Sequence, residues 1–459
     1  NLKQILSNYL DSNIEGMKIN KTISLSTKYN LPQQINAIQY KGKWLIIAPE
    51  CCNYIVLEKE IQYKFYSLLT KYSLNEALSK MDIPKEDAQA VLIQIEAKHF
   101  VEDCPAKANG RFQLHMFLTN ACNLRCKHCY MFSGQCKINE LNFSEIKSIL
   151  CGFKAHQGEF VTFSGGEVLM RKDLMSILQL TKKLQLNTTI MTNGTLWTES
   201  LVKEAAKYIS AVQISIDGFN EKENAKVRGS GYFEKSLRSV ELFLQNGIRV
   251  TIAMTPWYDE ELFKSKDLYL NFIKEIKGKY KEYPLNFKFT SDIMDGRELS
   301  LSPIEQKRYF KFMQEISNDE NENKEEDIFI YNQRNRILKD SWCTFGHLTI
   351  SADGEVYFCG KVNASKPICN IRETDIDTIM GLSSKARDLS RIQNLYPCKE
   401  CELRYICGGG CRIEYFDWFK ECEGIKNGVL PKRLIRECNP SIKQHYYDLM
   451  IAANYKLYR

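Results

Sequence analysis

Leu118-Thr119-Asn120-Ala121-Cys122-Asn123-Leu124-Arg125-Cys126-Lys127-His128-Cys129-Tyr130-Met131-Phe132 decides how the rest of the chain is read. Cys122, Cys126 and Cys129 form a Cys-x-x-x-Cys-x-x-Cys array, so three thiolates on one short loop can hold one metal centre. Three is one fewer than a closed structural zinc site or a fully ligated [4Fe–4S] cube takes. An iron left open in this way can bind a substrate or cofactor directly. The plainer alternatives are a zinc knuckle that borrows His128 as fourth ligand, or three reduced thiols.

Outward from this loop the pattern is that of repeated βα units. Apolar runs at Phe112–Thr119, Glu159–Ser164, Asn187–Thr192, Ala211–Ile216, Arg249–Met254 and Phe287–Ser291 alternate with longer amphipathic segments. This predicts an α/β fold with six parallel strands in an open partial (β/α)6 barrel. Catalytic groups of such a barrel belong on the loops after the strand C-termini, and the cysteine loop follows the first strand. The second run ends in Ser164-Gly165-Gly166-Glu167, the third in Thr192-Asn193-Gly194, and the fourth in Ser215-Ile216-Asp217-Gly218, with Arg228-Gly229 beyond. Two glycines let the backbone approach a ligand closely, and Glu167 can accept from an ammonium group. A simple strand-to-helix turn uses the same residue types.

The cysteine array, with aromatic Tyr130 directly after it and Gly-Gly-Glu beginning 36 residues beyond Cys129, resembles the signature of the radical S-adenosylmethionine enzymes. The resemblance implies that the open iron of a [4Fe–4S] cluster chelates the amine and carboxylate of S-adenosylmethionine. It also implies reductive cleavage of that cofactor to a 5′-deoxyadenosyl radical, which abstracts hydrogen. Carried over residue by residue, it assigns Tyr130, Gly165, Gly166, Glu167, Asn193, Ser215, Asp217 and Arg228 to cofactor binding.

A polar run over residues 317–327 predicts an exposed connection, and beyond it cysteines become dense. Cys343, Gly354 and Cys359 precede Cys398, Cys401, Cys407 and Cys411, with Cys438 last. This order resembles the SPASM extension, which carries two auxiliary [4Fe–4S] clusters. A zinc ribbon would explain four of these seven thiols and leave Cys343 and Cys359 without a role. The resemblance gives Cys343, Cys359 and Cys411 to the first auxiliary cluster, and Cys398, Cys401, Cys407 and Cys438 to the second. Cys369 could complete the first, or its iron could stay open for a substrate thiolate. Cys422 competes with Cys438 for the second. Cys51, Cys52 and Cys104 read as ordinary thiols, and Cys136 and Cys151 as packing thiols.

Before the barrel, β-like runs at Ile35–Tyr40, Trp44–Ala48 and Tyr54–Leu57 are followed by helical segments at Glu58–Lys71, Ser73–Lys80 and Lys85–His99. This order resembles the winged-helix precursor-recognition domain of peptide-modifying enzymes, in which a leader peptide adds a strand to the sheet edge. A cap domain without ligand, or a nucleic-acid-binding winged helix, would show the same elements. The expected layout is 1–105 recognition domain, 106–310 barrel, 311–340 linker, 341–445 auxiliary-cluster domain and 446–459 tail.

The 459 residues carry a net charge of +7 with both signs interspersed, which gives no footprint for nucleic acid. Seventeen cysteines gathered into metal-ligand spacings, with neither a bilayer-spanning run nor a secretory signal, predict a cytoplasmic protein without a membrane partner. Together these features resemble radical S-adenosylmethionine and SPASM peptide maturases. The expected activity is cross-linking of a ribosomally made precursor peptide bound through its leader, such as a Cys thioether. Its expected cofactors are S-adenosylmethionine and three [4Fe–4S] clusters, reduced by a flavodoxin or ferredoxin. Two alternatives are sulfatase maturation, whose enzymes carry aspartate where this chain has Gly360, and a non-catalytic iron–sulfur redox or scaffold protein.

Overall fold

The computed structural model describes residues 23–457, apart from 103–106, 109–111, 291–292, 321–323, 342, 428–433 and 436. Cys104 lies outside them.

At the N-terminal end, β1 (Asn36–Tyr40), β2 (Lys43–Ala48) and β3 (Asn53–Leu57) form an antiparallel sheet in that order. The first hairpin turns at Lys41-Gly42, both at positive φ (49° and 74°), as a tight primed turn requires. Three helices follow: α1 (Glu60–Leu69), α2 (Leu74–Lys80) and α3 (Lys85–Ala97). Glu76 and Ser73 form a capping box that starts α2. Every residue of β3 is buried, because both faces of the sheet are covered. Ile46, Ile55 and Leu57 pack with Phe65, Leu69, Val91 and Leu92 of the helices.

The barrel strands are β4 (Gln113–Phe117), β5 (Phe160–Ser164), β6 (Asn187–Thr192), β7 (Ala211–Ser215), β8 (Arg249–Met254) and β9 (Leu285–Phe289). All six are parallel and adjacent in chain order, as the alternation predicts, although the last lies two residues before its expected place. Between them run α4 (Phe143–Ala155), α5 (Leu174–Lys183), α6 (Glu199–Ala205), α7 (Glu221–Arg228), α8 (Phe233–Gln245) and α9 (Lys266–Lys279). Alternate strand residues such as Leu114, Val161, Ile190, Val212 and Val250 are buried with the helices. His115, Thr162, Thr189, Gln213 and Thr251, on the other face, are only half-buried, so the concave side is polar.

Three expectations need correction. The sheet does not stop at six strands: β10 (Leu348–Ile350) joins the free edge of β4 in parallel, and β11 (Glu355–Tyr357) and β12 (Cys369–Asn370) follow antiparallel. The barrel and the cysteine-rich region therefore share one nine-stranded sheet across the boundary expected at 341. The expected linker is helical, as α10 (Pro303–Glu320) and α11 (Lys324–Arg334), and α11 buries Phe329 and Ile330. After α12 (Ile376–Leu389), the expected tail belongs to α13 (Pro440–Leu457), which buries Tyr447, Met450 and Ala453. These residues pack with Phe329, Ile330, Leu403 and Ile406 against Leu45, Ile47, Tyr54 and Val56 on the second face of the N-terminal sheet. Of the presumed packing thiols, Cys151 is half-buried on α4, whereas Cys136 is exposed. No helix among the described residues is long and apolar enough to cross a membrane.

Candidate cofactor and metal-binding site

The cysteine loop leaves the C-terminal end of β4 and is fixed through its backbone. The Cys122 N–H donates to the Gly134 carbonyl (3.1 Å), the Gly134 N–H to Asn120 (2.8 Å), and the Cys129 N–H to Cys126 (3.2 Å). Arg297, beyond β9, donates to the carbonyls of Cys126 (3.2 Å) and Ser133 (2.6 Å). A Cβ on Gly296 would lie 2.4 Å from the His128 carbonyl oxygen, so the two backbones touch there. None of these contacts uses a thiol. Burial pushes the Cys122 thiol up to about 11, against the Leu124 N–H that donates to its sulfur at 3.4 Å. Metal binding here must therefore release protons.

The Gly-Gly-Glu turn closes on this loop. The Gly166 N–H donates to Thr119 (2.7 Å) and the Glu167 N–H to Ala121 (2.8 Å). A Cβ would lie 2.4 Å from the Thr119 oxygen at Gly165, whose φ is +146°, and 2.2 Å from the Ala121 oxygen at Gly166. The glycines thus serve the fit of one strand end to the cysteine loop, beyond any approach to a ligand. Gly166→Ala should cost about 1–3 kcal/mol by forcing these backbones apart; a thermal unfolding midpoint equal to that of the parent would contradict this.

Glu167 differs from expectation. Its side chain is wholly buried and accepts from the Thr192 hydroxyl (2.7 Å), the Asn193 N–H (2.8 Å) and the Leu169 N–H (3.3 Å). Burial lifts it above the usual carboxylate range, partly offset by those donors. The carboxylate ties β5 to β6.

Asn193 donates to Asn123 Oδ1 (2.9 Å) and points the same amide at the Cys122 sulfur (4.0 Å). Ser215 ends β7, half-buried. Asp217, 1% exposed, accepts from the Thr255 N–H through Oδ1 (2.7 Å). Its Oδ2 lies 2.7 Å from Arg228 Nε and 3.0 Å from His128 Nε2. Burial pushes the Asp217 carboxyl up, but Arg228 and His128 outweigh it and hold the group below its usual range. Arg228 Nη1 donates to the Cys126 sulfur at 3.8 Å. Tyr130 packs with Phe117, Tyr357 and Val362, between the central loop and Cys359, and burial pushes its hydroxyl up to about 12.

His128 and Arg297 were missed as parts of this arrangement. His128 was visible in the motif only as a spare ligand, and Arg297 lies in no motif.

In the cysteine-rich region, Cys398, Cys401, Cys407 and Cys438 together line one cavity of about 180 Å³, with Ile392, Leu403 and Ile442 among its apolar walls. Four thiols lining one cavity can ligate an iron–sulfur cluster. Cys422 is not among them: it is 1% exposed and donates to the Phe419 carbonyl at 3.0 Å. Burial pushes Cys359 up to about 11, and its neighbours Cys343 and Cys411 add to the effect. Cys369, paired with Val356 across β11 and β12, is pushed up by burial, which Thr374 and Lys426 oppose. Among the described residues no three His, Cys, Asp or Glu are close enough to ligate a single metal ion.

Residues 116–264 match the family model described as the Radical SAM superfamily, and 342–402 the iron-sulfur cluster-binding domain SPASM. The chain carries radical SAM and SPASM domains. It is 26% identical over 325 residues to the AdoMet-dependent heme synthase of Oleidesulfovibrio alaskensis, spanning 65% of this chain and 82% of that one. To the mycofactocin maturase MftC of Mycolicibacterium smegmatis it is 36% identical over 142 residues, 30% of this chain and 36% of that one. The chain spans only about a third of the length of three of the first four curated relatives it matches. The fold resembles that of native anSMEcpe with bound AdoMet, at a TM-score of 0.51 and 19% identity over 75% of this chain and 97% of that one.

The radical SAM match runs from β4 to the turn after β8 and contains each residue assigned to the cofactor. It stops short of β9 and of Arg297, which nevertheless clamps the loop. The SPASM match ends before Cys407, Cys411 and Cys438, of which Cys407 and Cys438 line the same cavity.

Proposed function

We propose that the chain is a radical S-adenosylmethionine enzyme that matures a ribosomally made precursor peptide by closing a cross-link such as a Cys thioether. The observation that carries this reading is the loop with Cys122, Cys126 and Cys129, which offers three thiols and no fourth at the C-terminal end of a parallel barrel strand. A [4Fe–4S] cluster there supplies, with S-adenosylmethionine, hydrogen abstraction from an unactivated carbon. Asn193 and Arg228 border the sulfurs, and backbone groups of Gly165 and Gly166 stand beside the loop. Cys343, Cys359 and Cys411 would hold one auxiliary cluster and Cys398, Cys401, Cys407 and Cys438 the other.

A peptide substrate is supported by the N-terminal sheet, whose edge strand β1 pairs with β2 on one side and is only half-buried, and by the likeness to a mycofactocin maturase. The longer match to a heme synthase favours a second reading, in which the substrate is a tetrapyrrole. Deoxyadenosine formation by the reduced protein, stimulated by a peptide encoded nearby and not by a porphyrin, separates the two; no deoxyadenosine at all would favour a non-catalytic role. For the bond itself, mass spectrometry after iodoacetamide should show loss of a pair of hydrogens per link with one cysteine protected. The same loss with every cysteine alkylated would exclude a thioether.

A further inference from the structure

One carboxylate grips the cysteine loop at two points. Asp217 Oδ2 meets the ring of His128, which stands between Cys126 and Cys129, and also Arg228, which reaches the Cys126 sulfur. Asp217 and Arg228 are 1% and 9% exposed. Burying an ion pair so completely carries a desolvation cost that packing alone does not require.

Arg228 is also restrained from its own side. It ends α7, where Gly229 caps the helix at a φ of 87°, and the Lys127 N–H donates to the carbonyl of neighbouring Val227 (3.0 Å). Its guanidinium cannot swing toward a ligand without breaking the 2.7 Å contact to Asp217. Held there, its Nη1 meets the sulfur at 3.8 Å, within reach of a sulfur hydrogen bond.

We propose that Arg228, positioned by Asp217, sets the reduction potential of a cluster on Cys122, Cys126 and Cys129 by donating to the Cys126 sulfur. This deepens the reading under Proposed function and rests on it. Reduction adds one negative charge, spread partly over the cysteine sulfurs, so a cationic donor in a water-poor site favours the reduced form. Asp217 cancels part of that charge while it fixes the geometry. The two residues therefore act on the potential with opposite sign.

The test uses the full chain, reconstituted anaerobically, in redox titrations followed by electron paramagnetic resonance without S-adenosylmethionine. The signal followed is the one that S-adenosylmethionine perturbs in a parallel sample. Arg228→Gln should move its midpoint to more negative potential, Arg228→Lys should move it less, and Asp217→Asn should move it to more positive potential, each with iron content unchanged. Were Arg228 only a clamp for the cofactor's carboxylate, all midpoints would equal that of the parent and only cofactor affinity would fall, which overturns the inference. Loss of iron from both Arg228→Lys and Asp217→Asn would overturn it too, since the pair would then serve only to hold the loop. A parent protein with no signal responsive to S-adenosylmethionine would overturn the cluster assignment itself, and the inference with it.

Discussion

Replacing Cys122, Cys126 and Cys129 together with alanine should abolish formation of deoxyadenosine and remove about a third of the iron, about four of about twelve atoms if each of three cubes holds four. The loss should be this selective because the loop's shape does not depend on its thiols. Gly134, Asn120 and Arg297 hold its backbone through carbonyls and N–H groups, so the variant keeps the fold and the remaining cysteines keep their surroundings. Removing half-buried thiols leaves small voids, at a cost of about 1 kcal/mol each, well below what unfolds a domain. The cluster's absence, by contrast, removes the open iron expected to bind S-adenosylmethionine. Iron analysis and chromatography of the reduced protein with S-adenosylmethionine check both halves of this expectation. Cleavage that survives the triple replacement would sink the assignment of the central loop.

What the sequence revealed and what it hid divide along physical lines. The cysteine array and the Gly-Gly-Glu turn are local, with ligand spacing fixed within a few residues, and the six barrel strands carry long apolar runs. β10, β11 and β12 have three, three and two residues, too short for any periodicity, and exist because the edge of β4 offers a partner. Spacing could place Glu167 near the site but not reveal that Thr192 and Asn193 occupy its carboxylate. In the same way, that Cys438 lines the cavity of Cys398, Cys401 and Cys407 and Cys422 does not depends on residues distant in sequence. The described ends of the polar run belong to α10 and α11, and α11 finds its apolar flank in Phe329 and Ile330, just beyond the run. The buried stripe of α13, Tyr447, Met450 and Ala453, is masked in the sequence by apolar residues on its other faces, such as Leu449 and Ile451.

That last helix changes what removal of the N-terminal domain should do. From the sequence, a chain beginning near Asn109 is expected to keep slow cofactor cleavage and lose only affinity for the precursor. In the structure, Leu45, Ile47, Tyr54 and Val56 form one core with Tyr447, Met450, Leu403 and Ile406. The Tyr54 hydroxyl donates to the Met450 carbonyl (2.9 Å), and the buried Nζ of Lys98 donates to the Tyr54 carbonyl (2.9 Å) and to Asn454 Oδ1 (2.6 Å). Truncation would expose this surface and orphan Asn454. Cys401 and Cys407 pack against the same core, so the second auxiliary site should loosen with it. Ile47→Ala and Met450→Ala should each cost about 2–5 kcal/mol, seen as earlier unfolding in urea. The truncated chain should lose iron from the cavity of Cys398, Cys401, Cys407 and Cys438 before the central loop loses its own. Parental stability in Ile47→Ala, with a full iron complement in the truncated chain, would show that the second face of the sheet is dispensable and restore the simpler expectation.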